Sequence, residues 1–266
     1  KTHSYFLKEY KDRFALFSEI YYQNNTHNLY IKDLEKFLKN SNLLKKNDSV
    51  YIEVGPGEGK CTDSIGRKFS KQILFEPNPL YSEPLIEKGY NVIKGIIQDS
   101  INTFDTKFDF AIFPHSFYYL SIEDIKKTLA SMILLKKDVD SKIVAVLGHI
   151  QNREVPFECI SEFKRQGVIP KDTETVKLIT GETIKKCSQE IGSEATFINV
   201  EYPVLMKNTE EMYDCYSFIL EEDYLNDHMS TMDIETRKKA DKIMREVFAK
   251  TKTPHRINMV ETLVFI

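Results

Sequence analysis

Short apolar runs alternate with stretches of helical spacing along most of the chain. Ser49–Val54, Lys71–Phe75 (KQILF), Tyr90–Ile97, Lys107–Pro114 (KFDFAIFP) and Ser141–Leu147 (SKIVAVL) are brief and rich in β-branched or aromatic residues, which predicts buried strands. Between them, Cys61–Phe69, a segment from Leu80 and a segment from Ile122 carry helix-compatible patterns, the last with Ser121 as N-cap and Asp124 three residues on. Ahead of the first strand, Phe6, Tyr10, Phe14, Phe17 and Tyr21 recur at spacings of three and four, predicting an amphipathic helix over Thr2–Gln23. A second helix, over Leu29–Leu44, follows the polar connector Asn24–Asn28. Beyond the fifth strand the pattern is mixed over Gln151–Pro170. A helix then follows over Thr180–Glu190 and a strand over Ala195–Met206, interrupted by Pro203. Helices over Asn208–Asn226 and Ile234–Thr251 and a last strand over Arg256–Ile266 complete the pattern.

Strands alternating with helices predict an α/β fold whose mostly parallel sheet is covered by helices on both faces. Ligands on such sheets bind at the carboxyl ends of the strands. Glu53, Glu76, Asp99 and His115 each fall at such an end. The expected division is an N-terminal helical cap over 1–45 and an α/β core over 46–150. The remainder, 151–266, completes the sheet and carries a helical insertion over about 208–252.

The stretch VYIEVGPGEGK, Val50–Lys60, places an alternating glycine turn between the first strand and its helix. Glycines there permit positive φ and let a ligand lie against the main chain. A dinucleotide fingerprint needs a glycine three residues after the second one, and Lys60 stands at that position, so an NAD-dependent dehydrogenase is the weakest reading. The spacing is instead E-x-G-x-G-x-G, from Glu53 through Gly55, Gly57 and Gly59. Twenty-three residues after Glu53, Glu76 closes the second strand, where a carboxylate can hold a ribose diol.

Composition narrows the field. The 266 residues are 41% hydrophobic and 12% aromatic, enough for a sizeable core, and the net charge of −3 comes from interspersed signs. No basic stripe is present, which argues against a nucleic-acid partner. Cys61, Cys159, Cys187 and Cys215 lack C-x-x-C spacing, which argues for reduced thiols and against a zinc site. No run approaches the roughly 18 apolar residues of a membrane helix, and no signal peptide is visible, so a cytoplasmic protein is expected. The chain begins at Lys1, the start expected of a trimmed polypeptide.

The glycine pattern resembles the first motif of the class I S-adenosylmethionine (SAM)-dependent methyltransferases, with a Rossmann-like sheet of seven strands and an antiparallel final pair. Further markers make most of the chain similar to the histamine N-methyltransferase type: the connector NNTHN, Glu76-Pro77, FDFAIFPHSFYYLSIEDIKKTL, TGETIKKCSQEIG, YDCYSFILEE and INMVETLVFI. The resemblance implies SAM as cofactor, with Glu53, Gly55, Gly57, Gly59, Glu76, Pro77, Tyr81, Asp99, Ser100 and Pro114 around it. It implies a small-molecule acceptor near His27, Asn28, His115, Tyr118 and Asn258, with His115, Tyr118 and Tyr119 as the catalytic group. That family has a glutamine where His115 stands and a carboxylate in the connector where His27 stands, so an acid, phenol, amino acid or heteroaromatic acceptor fits as well as an amine. Two other readings share the motifs: an enzyme that cyclises the aminobutyryl group of SAM and releases methylthioadenosine, and a non-catalytic SAM-binding module.

Overall fold

The computed structural model describes residues 15–20, 27–101, 103–151, 153–173, 179–220, 225, 232–250 and 256–266. Its contacts divide the chain into two compact units. One holds Lys1–His27, His149–Leu178 and Glu201–Val260; the other holds Asn28–Gly148, Ile179–Val200 and Glu261–Ile266.

The second unit is built on strands β1 (Val50–Val54), β2 (Lys71–Phe75), β3 (Asn91–Ile93) and β4 (Phe110–Pro114), with most of β5 (Lys142–Ile150) and parts of β6 (Thr196–Leu205) and β7 (Arg256–Phe265). Among the described residues they form one seven-stranded sheet in the order β3-β2-β1-β4-β5-β7-β6. The pairs β1·β2, β1·β4, β2·β3 and β4·β5 are parallel. Ile143 and Ile266 exchange both main-chain hydrogen bonds, at 3.0 and 2.9 Å, which is the reciprocal pattern of an antiparallel pair, so β7 runs against β5. Because β1 lies between β2 and β4, strand order reverses there, and the carboxyl ends of β1 and β4 border the crevice where such sheets take ligands.

Period-two burial sorts β1 onto two cores. Val50, Ile52 and Val54 join Ile125, Leu129 and Met132 of α5 (Ile122–Leu134) and Ile184 and Cys187 of α7 (Gly181–Glu190). Tyr51 points the other way, with Tyr30, Leu34 and Leu38 of α1 (His27–Asn40), Cys61 of α2 (Lys60–Ser64) and Leu85 of α3 (Pro79–Glu87). At the opposite end of the sheet Asp109 is fully buried. Burial would push its carboxyl up, but the Val50 amide (2.8 Å), Lys46 (2.9 Å) and Lys137 (3.0 Å) more than offset this and hold it below the usual carboxylate range.

Several elements differ from the sequence reading. The helix after the glycine turn stops at Ser64, and a 3₁₀ turn follows over Gly66–Lys68, where a Cβ at Gly66 would stand 2.9 Å from Tyr51. The third strand ends at Ile93, and Ile97–Ser100 coils into a short helix, α4, with Ile97 in the core. Pro203 does not interrupt β6, which lies at the edge of the sheet, where a missing N–H is tolerated. Glu154–Arg165, read as mixed, is a regular helix, α6. Its Pro156 sits in the first turn, where proline costs little.

In the first unit, residues 15–20 are helical, and the rest of the predicted N-terminal helix lies outside the described residues. Phe17 stacks on Phe218 of α8 (Thr209–Ile219) with centroids 4.7 Å apart. Helix α9 (Ile234–Ala249) buries Ile243, Val247 and Phe248, and its Phe248 packs 5.1 Å from Tyr216 of α8. Both helices are capped by side chains, Asn208 accepting from Glu211 and Asp233 from Thr236.

Candidate active site

Three turns at the carboxyl ends of β1, β2 and β4 build the site, all within the second unit. After β1, Gly55, Gly57 and Gly59 adopt φ of 73°, 54° and 79°. The amide of Gly55 donates to Phe75 O at 2.9 Å, and that of Gly59 to Pro56 O at 2.9 Å, closing the turn. The first and last glycines are packed: a Cβ at Gly59 would meet Leu85 Cδ2 at 2.6 Å, and one at Gly55 would meet Ser116 Cβ at 3.1 Å. At Gly57 a Cβ would meet nothing within 4 Å, so this peptide faces open space.

Glu76, fully buried after β2, fastens the turn. Its Oε2 accepts the Gly57 amide at 3.1 Å and its Oε1 the Asn78 amide at 2.9 Å. Asn78 Oδ1 in turn caps α3 through the Leu80 amide at 3.0 Å. Pro77 is half-buried between these residues. Tyr81, on the first turn of α3, is buried. Desolvation, reinforced by Glu58 and Glu76, pushes its phenol upward, so it stays neutral.

Glu53 is equally buried but held differently. Tyr51 donates to its Oε2 at 2.7 Å, and Thr62 donates to the same oxygen, while Oε1 has no hydrogen-bond partner among the described residues. Desolvation raises the carboxyl to about 7, with Glu76 and Asp63 adding to it and the two hydroxyl donors opposing it. Both donors serve Oε2.

The β4 turn is organised by His115, the one non-glycine residue with positive φ (53°) among those described. Its amide is held by Val146 O at 2.9 Å. Its ring is partly exposed and lies edge-on to Tyr30 (6.1 Å) and stacked toward Tyr118 (6.3 Å). Nε2 stands 3.6 Å from Oε1 of Glu261, a fully buried residue of β7. Next to it Ser116 Oγ is buried without a hydrogen-bond partner among the described residues.

The other predicted residues fall as follows. Pro114 ends β4, paired with Val146. The Tyr118 hydroxyl closes on the backbone of Gly148, donating to its carbonyl at 2.7 Å and accepting its amide, so the ring rather than the hydroxyl faces His115. Tyr119 ends the 3₁₀ turn Phe117–Tyr119 and is half-buried. Asp99 and Ser100 lie in α4 rather than in a loop. Asp99 is exposed, and the Ser100 carbonyl accepts from Thr103 and Phe104. His27 and Asn28 open α1, with side chains outside the described residues. Asn258 belongs to the first unit, where its Oδ1 accepts from Arg256 Nε at 3.0 Å and its carbonyl from Gln151.

Sequence reasoning missed Glu261, Ser116, and the Tyr51–Thr62 pair around Glu53. A carboxylate inside the apolar run INMVETLVFI was the available signal for Glu261, because a buried charge needs a partner. Among the described residues no group of three or more His, Cys, Asp or Glu could hold a metal ion, and no helix is long and apolar enough to cross a membrane.

The chain matches no family model. By sequence it is 28% identical over 121 residues to a ribosomal RNA small subunit methyltransferase A of Metamycoplasma arthritidis, covering 45% of each chain. It is 31% identical over 128 residues to the protein of that name from Mycoplasma capricolum, covering 45% of this chain and 47% of that one. The match thus spans about half the length of these relatives. By structure it is similar to the YcgJ protein of Bacillus subtilis, with a TM-score of 0.53 at 14% identity, covering 88% of this chain and 97% of that one. A Bacillus halodurans C-125 protein assigned to the methyltransferases gives a TM-score of 0.50 at 14% identity, with 88% and 97% covered. With the sheet order above, these likenesses give the chain the fold of the class I SAM-dependent methyltransferases.

Proposed function

We propose that this chain is a SAM-dependent methyltransferase that transfers a methyl group to a nitrogen or oxygen of a small-molecule acceptor. The observation that carries the reading is the glycine turn: Gly57 faces open space while the buried carboxylate of Glu76 fastens its amide at 3.1 Å. The residues present fit such a donor. A cradle that a larger side chain would fill lies at Gly57, and Glu53 Oε1 and Ser116 Oγ are buried polar atoms with no hydrogen-bond partner among the described residues.

When bound, the donor supplies an electrophilic methyl group on a sulfonium. Glu76 would hold the ribose diol, the glycine turn would carry the adjoining chain, and Glu53 would face its aminoacid end. What the protein must then supply is mainly position, worth up to about 7–11 kcal/mol in well-oriented reactions. His115 would take the acceptor's proton, and the rings of Tyr30 and Tyr118 would form the walls beside it. On the strength of the resemblance, Pro114 is a proposed donor-side contact, and Tyr119, His27, Asn28 and Asn258 are proposed acceptor-side contacts.

The match to ribosomal RNA methyltransferases supports a second reading, an RNA acceptor. Against it, the chain has a net charge of −3 and a pI of about 6.1, whereas RNA binding relies on neutralising phosphates with clustered Lys and Arg. The test is product analysis by mass spectrometry after incubation with SAM and either a panel of amines, amino acids, phenols and heteroaromatics or unmodified small-subunit rRNA. S-adenosylhomocysteine formed only with a small acceptor supports the proposal. Formation with rRNA alone selects the second reading, and methylthioadenosine without any acceptor replaces both with cyclisation. Tight SAM binding without turnover indicates a binding module.

A further inference from the structure

We infer that Glu261 is a positioning residue that orients His115 as the proton acceptor, and that the acceptor class is therefore one that loses a proton on methylation: a hydroxyl or an N–H group. This rests on the methyltransferase reading above. Four observations, from the β4 turn, β5 and β7, converge on His115. Its backbone is held at φ 53°, a conformation that costs a non-glycine residue energy and persists only where the surroundings enforce it. Its amide is fixed by Val146 O at 2.9 Å, so the turn cannot relax by sliding along β5. Its Nε2 is 3.6 Å from the Oε1 of Glu261, whose side chain is fully buried while that of His115 is 39% exposed. Finally, Gly148 leaves the ring its space, since a Cβ there would stand 3.3 Å from Cε1 and 3.6 Å from Nδ1.

The consequence is directional. With the Nε2 edge facing the carboxylate at 3.6 Å, Nδ1 is the ring nitrogen left to accept a proton. The acceptor's lone pair forms the new bond to the methyl carbon as the carbon–sulfur bond breaks and its electron pair goes to sulfur. The N–H or O–H proton passes to Nδ1, and the imidazolium so formed lies beside the Glu261 carboxylate. An acceptor without a proton to lose, such as a tertiary amine, gains nothing from this pair.

The test uses the intact chain and two kinds of readout. In the free protein, the nuclear Overhauser contact between His115 Hε1 and Gly148 Hα reports ring position without any ligand. It is expected in the wild type and in Glu261→Gln, which keeps the side chain's size and an oxygen facing Nε2, and lost in Glu261→Ala. With a phenol or primary-amine acceptor, kcat is expected to fall about 100-fold in Glu261→Ala and about 10-fold in Glu261→Gln, within the range of general-base effects. The KM for SAM should stay within about twofold. Gly148→Ala, which displaces the ring directly, should reproduce the kcat loss and keeps the test decisive if Glu261→Ala does not fold. An unchanged Overhauser contact in Glu261→Ala, or equal losses with a tertiary-amine acceptor, overturns the inference. If the wild type binds no SAM, the functional proposal fails, while the Overhauser measurement still decides the positioning role.

Discussion

The turns after β1 and β4 both force the backbone into positive φ, yet they do so with opposite chemistry. The β1 turn uses three glycines and is fastened by main-chain donors reaching Glu76 and Phe75. The β4 turn uses a histidine, and its strain is held by Val146 and by the space at Gly148. The first makes a permanent cradle whose glycines minimise the conformational cost. The second stores strain in the residue that would meet the reacting atoms, where strained residues tend to gather. On the proposed function, binding and chemistry are separated along the sheet edge, and each half should respond to mutation in its own way.

The largest effect should come from Glu76→Ala. Two backbone donors, half-buried Gly57 and buried Asn78, lose a charged acceptor, which should cost about 3 kcal/mol of stability in urea denaturation and weaken SAM about 100-fold in calorimetry. A pH series then contrasts the two carboxylates at the ends of β1 and β2. Glu53 is raised from 4.5 to about 7, so between those values the folded chain holds a proton that the unfolded chain has released. Its contribution is therefore fully present below about 4.5 and lost as pH rises through 7, the reverse of an ordinary paired carboxylate. Glu53→Gln should remove that slope, gaining up to about 3 kcal/mol on the wild type between pH 4 and pH 8 in parallel denaturation curves.

Smaller effects separate the glycines. Gly59→Ala combines φ 79° with a 2.6 Å contact to Leu85 and should lower stability by about 2–3 kcal/mol. Gly57→Ala, strained but unobstructed, should cost only about 1 kcal/mol while reducing SAM affinity at least about tenfold. The smallest change should be His115→Gly, which relieves φ 53° and should leave thermal stability equal or raised by up to about 1 kcal/mol, with methyl transfer abolished. An equal loss of SAM binding in Gly57→Ala and His115→Gly would erase the distinction between the two turns.

The cradle was legible because its signals are local. Glycine spacing after an apolar run and a carboxylate at the next strand end specify a turn and a neighbour without knowledge of the rest of the sheet. The alternation of strands and helices pointed to the layers, whereas the reversal of strand order next to β1 is seen only in the sheet itself. What stayed hidden depends on distant partners. Glu261 and His115 are 146 positions apart and meet only because β7 runs back into the sheet beside β5. The left-handed backbone of His115 carries only a weak residue-type signal, since histidine is enriched among non-glycine residues at positive φ yet mostly adopts other conformations. The third strand was read too long because VIKGII is rich in β-branched residues despite Lys94, and only packing shows that Ile97 serves a helix. The Tyr118 hydroxyl looked available until Gly148, thirty residues on, closed around it.

The most direct test of the account is a SAM titration followed through the backbone amide resonances of the isotopically labelled wild type. The account predicts that shifts concentrate at Gly55, Gly57, Glu76, Asn78 and Ser116, with His115 moving less until an acceptor is added. Shifts centred elsewhere on the chain, or none at saturating SAM, would contradict it.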